Sequence, residues 1–264
     1  KNYLTKDQIF KYKKDGFIII KNLFKPWIKN LRIGFNKVLA DPGIYARENI
    51  SSNISGRFFE DYCNWQRISE FKKCIERSPG AKIVAEATKS KSIQIFHDHI
   101  FLKDPKTKKP TPWHQDMSYY CLDGDDTGSY WIPLDYVDKE NTLQLLAGSH
   151  KWPKLIRPTK WSNNKPWYKN MKTFMDMPDI NSVKNKIIKP KIDLGDAILF
   201  NFKTVHGSSA NNTNNSRRAF SMRFIGDDVK FLKRSGVTSP PYRGINLKSG
   251  EKMRKDWFPV IWNS

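Results

Sequence analysis

Two stretches decide how this chain is read: Thr111-Pro112-Trp113-His114-Gln115-Asp116, and Ala197-Ile198-Leu199-Phe200-Asn201-Phe202 with the His206-Gly207 that follows it. His114 and Asp116 are two residues apart, and on an extended backbone that spacing aims both side chains at one face. His206 comes 92 residues after His114, just past an apolar run of strand type, and Arg217 lies eleven residues further on. Two imidazoles and one carboxylate brought together take three positions on one side of a metal and leave the other side open, the ligand set suited to non-haem Fe(II). The arginine then points to an acidic co-substrate in an open position, held by a bidentate salt bridge. A zinc site also accepts His and Asp, but zinc gives no reason for Arg217.

Around these stretches the pattern is one of strands. From Ser92 onward, Ile93, Ile95, His97, His99 and Phe101 are predicted on one face of an extended segment, with Gln94, Phe96, Asp98 and Ile100 on the other. Further strands are expected over 129–134, 142–146, 187–192, 197–202 and 218–225, with Gly, Asn and Asp turns between them. Before Ser92 the pattern is mostly helical. Thr5 caps a helix from about Lys6 to Lys14, with Gln8 at the capping-box position and Gly16 as its stop, and Phe17-Ile18-Ile19-Ile20 is a short strand. Pro26 to about Ala40 is a second helix, Gly56 to Trp65 is irregular and aromatic, and Ile68 to Lys91 is helical with a Pro79-Gly80 break. Residues 151–186, rich in Trp, Pro, Lys and Asn, form a long insertion of the kind that serves as a lid, expected to order when co-substrate and substrate are both bound. The expected fold is mainly β with flanking helices, a barrel or sandwich buttressed on one side. It forms one domain over 1–264: helical support to about 91, a β core over about 92–228 and a C-terminal tail over 229–264.

Composition narrows the function classes. Aromatics make up 13% of the 264 residues, nine of them Trp, which suits a packed fold. The net charge of +21 raises the question of nucleic acid. However, the lysines are scattered along the chain among Asn and Ile, and no aromatic-interleaved basic motif accompanies them, so no nucleic-acid partner is expected. A basic field also favours small anionic substrates. The three cysteines, Cys63, Cys74 and Cys121, have no disulfide-framework or Cys-x-x-Cys spacing and are expected as reduced thiols in a cytoplasmic protein. No apolar run approaches the ~20 residues of a membrane span, and the opening Lys1-Asn2-Tyr3-Leu4 has no signal-peptide character.

The sequence resembles the phytanoyl-CoA dioxygenase family of Fe(II)/2-oxoglutarate oxygenases over most of its length. The resemblance runs through Leu4 to Gln8, Asp15 to Ile19, Trp113-His114-Gln115-Asp116, Trp131-Ile132-Pro133-Leu134-Asp135, Ala147-Gly148-Ser149-His150, His206-Gly207-Ser208, Asn211 and Arg217-Arg218-Ala219. It implies a double-stranded β-helix, the cupin-like jelly roll. It further implies Fe(II) on His114, Asp116 and His206, 2-oxoglutarate held by Arg217 with contacts from Ser208 and Thr111, and support from Trp131 and Gln115. O2 completes the reactants; succinate and CO2 leave, and an unactivated C–H bond of the substrate is hydroxylated. No catalytic residue is expected beyond the metal centre. Halogenating relatives replace the carboxylate ligand by a small residue, so the presence of Asp116 implies hydroxylation. His150 is expected to lie away from the iron.

On the substrate side, Arg217, Ala219, Ser221 and Arg223 alternate on one strand face, so an inward Arg217 brings Arg223 inward too, either to an acidic substrate group or to a structural carboxylate. His97 and His99 face the same interior, Tyr119 and Tyr120 follow the metal motif closely enough to line an entrance, and Arg57 is a further anion candidate. The expected substrate is a small anionic or zwitterionic metabolite, aminophosphonate or amino-acid-like. The alternatives are an acyl-CoA, or nucleic acid or protein, on the same iron core, or a barrel that binds without oxidising.

Overall fold

The computed structural model describes residues 2–49 and 56–264. In chain order the helices are α1 (Lys6–Asp15), α2 (Ile28–Ala40), α3 (Ser69–Arg77), α4 (Gly80–Thr88) and α5 (Ile180–Val183). The strands are β1 (Phe17–Ile20), β2 (Arg47–Glu48), β3 (Phe58–Tyr62), β4 (Ser92–Lys103), β5 (Thr111–His114), β6 (Leu122–Asp123) and β7 (Thr127–Pro133). They continue with β8 (Leu143–Leu146), β9 (Ile187–Ile188), β10 (Ala197–Phe200), β11 (His206–Ser208), β12 (Arg217–Ile225), β13 (Lys230–Phe231) and β14 (Val260–Asn263).

α1 starts as its sequence directs. Gln8 donates its backbone N–H to Thr5 Oγ1 at 3.2 Å, and Thr5 donates its own to Gln8 Oε1 at 2.9 Å, a reciprocal capping box. Gly16 ends the helix at φ +86°, where a Cβ would fall 2.5 Å from both His150 Nδ1 and Thr204 Oγ1, so the stop needs glycine twice over.

Apart from β6 and β13, which pair with each other, the strands form a jelly roll of two unequal sheets. The larger runs β1-β10-β7-β12-β4-β3-β2, with β14 also on β4; the smaller runs β5-β11-β8-β9. Pairing is antiparallel throughout. The outer face of the larger sheet carries Tyr130, Ile132, Leu199, Phe220, Met222 and Phe224, and packs on α1 to α4 in one apolar core. Its inner face meets the smaller sheet through Trp131, Ile198, Phe200, Leu143 and Leu145. The site lies in this second interface.

Several expectations change. Residues 58–62, expected to be irregular, form β3, buried along its whole length. The strand expected over 187–192 stops at Ile188, ahead of Pro190, which has no N–H for a ladder. The residues after 228, expected as a tail, supply β13 and β14, and Met253 and Phe258 pack with Phe96, Tyr120 and Phe202.

The largest correction concerns β4. His97 pairs with Arg223 and Ile95 with Phe224, leaving Phe96 as an extra residue. That bulge reverses the alternation. Ile93 and Ile95 pack against the helices, as do Ile100 and Leu102, whereas His97, His99 and Phe101 line the cavity. Ile93 and Ile95 therefore do not share a face with the histidines.

Candidate metal centre and co-substrate pocket

His114 ends β5 and His206 begins β11, and the two are direct cross-strand partners. Asp116 follows on the turn after His114. The pairing brings the two imidazole centroids within 4.2 Å. His114 Nε2 lies 3.5 Å and His206 Nε2 3.7 Å from Asp116 Oδ1, and the three ligand atoms all fall within 4.8 Å of one another.

The tautomers suit a metal. His114 Nδ1 donates to the Pro112 carbonyl at 2.8 Å and His206 Nδ1 to the Thr204 carbonyl at 2.9 Å, so each Nε2 presents a lone pair to the centre. Burial and the neighbouring His114 push His206 down to about 3, which keeps its ring neutral. Burial opposes ionisation of Asp116, but the Arg223 guanidinium and both imidazoles hold its carboxyl well below the usual range. Two imidazole Nε2 atoms and one carboxylate, held in place and buried, fit a divalent metal with open positions.

Arg223 reaches this centre from β12, its Nε 3.2 Å from Asp116 Oδ2. It therefore clamps the metal-site carboxylate, the structural role weighed against substrate binding. Its Nη1 is buried without a partner, and the side chain also lines a cavity of about 490 Å³. Tyr120 lies beside both Arg223 and Asp116.

At one end of that cavity is a concentration of positive charge. Arg217 donates to the Asn141 carbonyl at 2.6 Å and to Ser208 Oγ at 3.0 Å. Directly opposite it in register is Lys103, which was not singled out from the sequence. Lys103 is 0% exposed; its Nζ lies 3.2 Å from Ser208 Oγ and 3.0 Å from the Ser209 carbonyl. Among the described residues no carboxylate lies within ion-pair distance of either cation. Burial lowers the Arg217 guanidinium to about 10, and burial together with Arg217 drives the Lys103 ammonium well below its usual range. Two buried cations sharing one hydroxyl, with no anion, make a receptor for an anion. Lys103 was legible: it continues the inward-facing series His97, His99, Phe101 by one more step of two.

Other candidates separate cleanly. Thr111, Trp131, Ser208, His97, His99, Tyr119 and Tyr120 all line the cavity. Gln115 does not; it bonds the Lys203 carbonyl and accepts from Ile156 N–H at 2.7 Å, tying the metal turn to the 151–186 insertion. Tyr119 adds a second tie, donating to the Thr159 carbonyl at 2.8 Å, and Trp161 rests on His114 with ring centroids 4.9 Å apart. The insertion thus contributes Lys160, Trp161 and Trp167 to the cavity wall. Arg57 is exposed and pairs with Glu48 at 2.9 Å, outside the cavity lining. His150 lies away from the centre, its Nε2 bonded to the Lys13 carbonyl.

Comparison with known proteins agrees with this geometry. Residues 12–219 match the family model for phytanoyl-CoA dioxygenase (PhyH). Among curated proteins, the peroxisomal phytanoyl-CoA dioxygenase of Rattus norvegicus is 25% identical over 258 residues, covering 90% of this chain and 73% of its own. A probable phytanoyl-CoA dioxygenase of Caenorhabditis elegans is 22% identical over 89% of this chain and 80% of its own. Among solved structures, the non-heme alpha ketoglutarate dependent carbocyclase SnoK superposes with a TM-score of 0.78 at 18% identity, covering 98% of this chain and 97% of its own. EctD from S. alaskensis with bound Fe gives 0.66 at 16% identity over 84% of this chain and 77% of its own. The chain belongs to the phytanoyl-CoA dioxygenase family, and with it to the Fe(II)- and 2-oxoglutarate-dependent dioxygenases. Among the described residues no helix is long and apolar enough to cross a membrane.

Proposed function

We propose that this enzyme hydroxylates a small anionic or zwitterionic metabolite, with Fe(II) on His114, Asp116 and His206. In this reading Arg217 and Lys103, bridged by Ser208, take the distal carboxylate of 2-oxoglutarate, and Thr111 and Trp131 shape the walls around it. The bound metal supplies the redox chemistry, in which 2-oxoglutarate and O2 become succinate and CO2 and the second oxygen atom enters a substrate C–H bond. The chain supplies position and dryness. Arg223 fixes one oxygen of Asp116, the two carbonyl-bound Nδ1 atoms fix the imidazoles, and Trp161 covers His114.

One observation carries the reading: a buried His/His/Asp centre and the guanidinium of Arg217 line the same cavity, with Lys103 buried behind Ser208 beside that guanidinium and no carboxylate paired to either cation among the described residues. Its volume of about 490 Å³ suits a co-substrate and a small metabolite together. The curated relatives named phytanoyl-CoA dioxygenase bring acyl-CoA thioesters in as a second substrate class. The test is succinate release with Fe(II), 2-oxoglutarate and O2, screened across aminophosphonates, amino acids, betaines and acyl-CoA thioesters, with Arg217→Ala as control. Stimulation by a small polar class, lost in the variant, supports the proposal. Stimulation by the thioesters alone replaces it with the second reading.

A further inference from the structure

The wall of the cavity formed by β3 and β4 carries a group the iron chemistry does not use. Glu60 and His99 are both buried and face the cavity, with Glu60 Oε2 3.1 Å from His99 Nε2. Burial drives His99 below its usual range despite Glu60, and against its own burial Glu60 is held ionised by His99 and by Arg47. The pair is therefore an imidazole N–H donating to a carboxylate, and it carries one net negative charge. Arg47, opposite Glu60 in register, is exposed at the mouth, its guanidinium over the Tyr62 and Trp167 rings and hydrogen-bonded to Tyr62 Oη at 3.2 Å.

His97 adds a second acceptor. Its Nδ1 donates to the Asp98 carbonyl at 3.0 Å, and burial keeps the ring neutral, so Nε2 carries a lone pair. That atom is buried, has no partner, and belongs to a residue lining the cavity. The rings of His97 and His99 are 6.3 Å apart, with Tyr62 within 5.9 Å of one and 5.2 Å of the other. A buried carboxylate short of a cation, a lone pair short of a donor and a flanking aromatic ring call for a group that only donates and carries positive charge.

We infer that Glu60 and His97 form a subsite for a protonated amine of the substrate, at the wall opposite the Arg217–Lys103 end. This deepens the proposed function and rests on it. Arg47 at the mouth is then placed for the substrate's acceptor or anionic end. The substrate is oriented amine inward.

The test uses fragments, so that it does not wait on the true substrate. Protein loaded with diamagnetic Zn(II) and 2-oxoglutarate is titrated with n-propylammonium and, separately, with n-propanol, and binding is read by saturation-transfer NMR. The expected result is binding of the ammonium, with propanol at least about tenfold weaker, and a loss of about tenfold or more for the ammonium in Glu60→Gln. His97→Phe is a second variant should Glu60→Gln fail to fold, with a smaller loss expected. Equal binding of alcohol and ammonium, ammonium binding unchanged in a folded variant, or no ammonium binding at all overturns the inference. Substrate-free succinate release by the Fe(II)-loaded wild type reports on the iron reading separately. If neither that nor any compound of the screen gives succinate, the proposed function fails, whatever the fragments do.

Discussion

The two ends of the cavity share strands yet solve opposite electrostatic problems. At one end Lys103 and Arg217 face each other across β4 and β12 with no carboxylate between them. Towards the other, on the same β4, His99 is paired with Glu60 and His97 turns a bare lone pair to the interior. The first end is unbalanced and waits for one anion of fixed chemistry. The second is mixed, with acceptors inside and Arg47 at the rim, which suits a ligand that carries its own polarity. In the proposed reading such a site keeps its co-substrate grip constant while the opposite wall sets which molecule is oxidised.

The contrast can be broken most completely at the centre. Asp116→Ala removes the metal carboxylate and leaves Arg223 buried without its partner, and abolition of 2-oxoglutarate-dependent succinate release is expected. Retained hydroxylation in that variant would sink the metal assignment. At the unbalanced end, Arg217→Ala is expected to raise the apparent KM for 2-oxoglutarate about a hundredfold, and Lys103→Met about tenfold. Lys103→Met should also raise the melting temperature of the protein without co-substrate, because it removes an uncompensated buried charge. A fall in melting temperature would show that Lys103 serves packing. Between the two ends, Arg223→Met is expected to weaken metal binding by about 10–100-fold, measured by Co(II) titration, through lost orientation of Asp116.

The smallest effect lies behind the second wall. Asp98 turns away from the cavity, its Oδ1 accepting from the N–H groups of Asn64 and Trp65 while Oδ2 has no partner. Burial raises its carboxyl to about 7. A pKa raised on folding means the contribution is fully present below the unfolded value near 4 and is lost as pH rises through 7. Melting temperatures between pH 5 and pH 8 should therefore fall a few degrees more in the wild type than in Asp98→Asn.

Much of this was legible because local chemistry and tertiary demand coincide. The Thr5/Gln8 box, the Gly16 stop and the alternation of β12 each depend on a few neighbouring residues, and each formed as read. The gathering of His114, Asp116 and His206 was legible because two imidazoles and a carboxylate at that spacing have few other uses. What failed was non-local. β3 reads Phe58-Phe59-Glu60-Asp61-Tyr62, and its two acids mimic a loop. Each is accounted for only in three dimensions, Glu60 by His99 and Asp61 by the Gly43 N–H at 2.7 Å. Gln115 was expected among the co-substrate supports because the resemblance implied it, but its side chain ties the turn to the insertion. Arg57 carried the right charge in the wrong place, for nothing in its neighbourhood of sequence reveals Glu48 as its partner.

The extra residue at Phe96 makes β4 behave like a message with a frame. Upstream of it the strand is read by the helices; downstream, every second residue is read by the cavity. If the strand kept every residue but ran without the bulge, Asp98, Ile100 and Leu102 would face the cavity, and His97, His99, Phe101 and Lys103 would turn into the apolar core. Amine recognition and the cationic clamp would be lost together through one change that touches neither. Chains that differ only in whether this bulge forms would share a fold and nearly all of a sequence while holding unlike interiors.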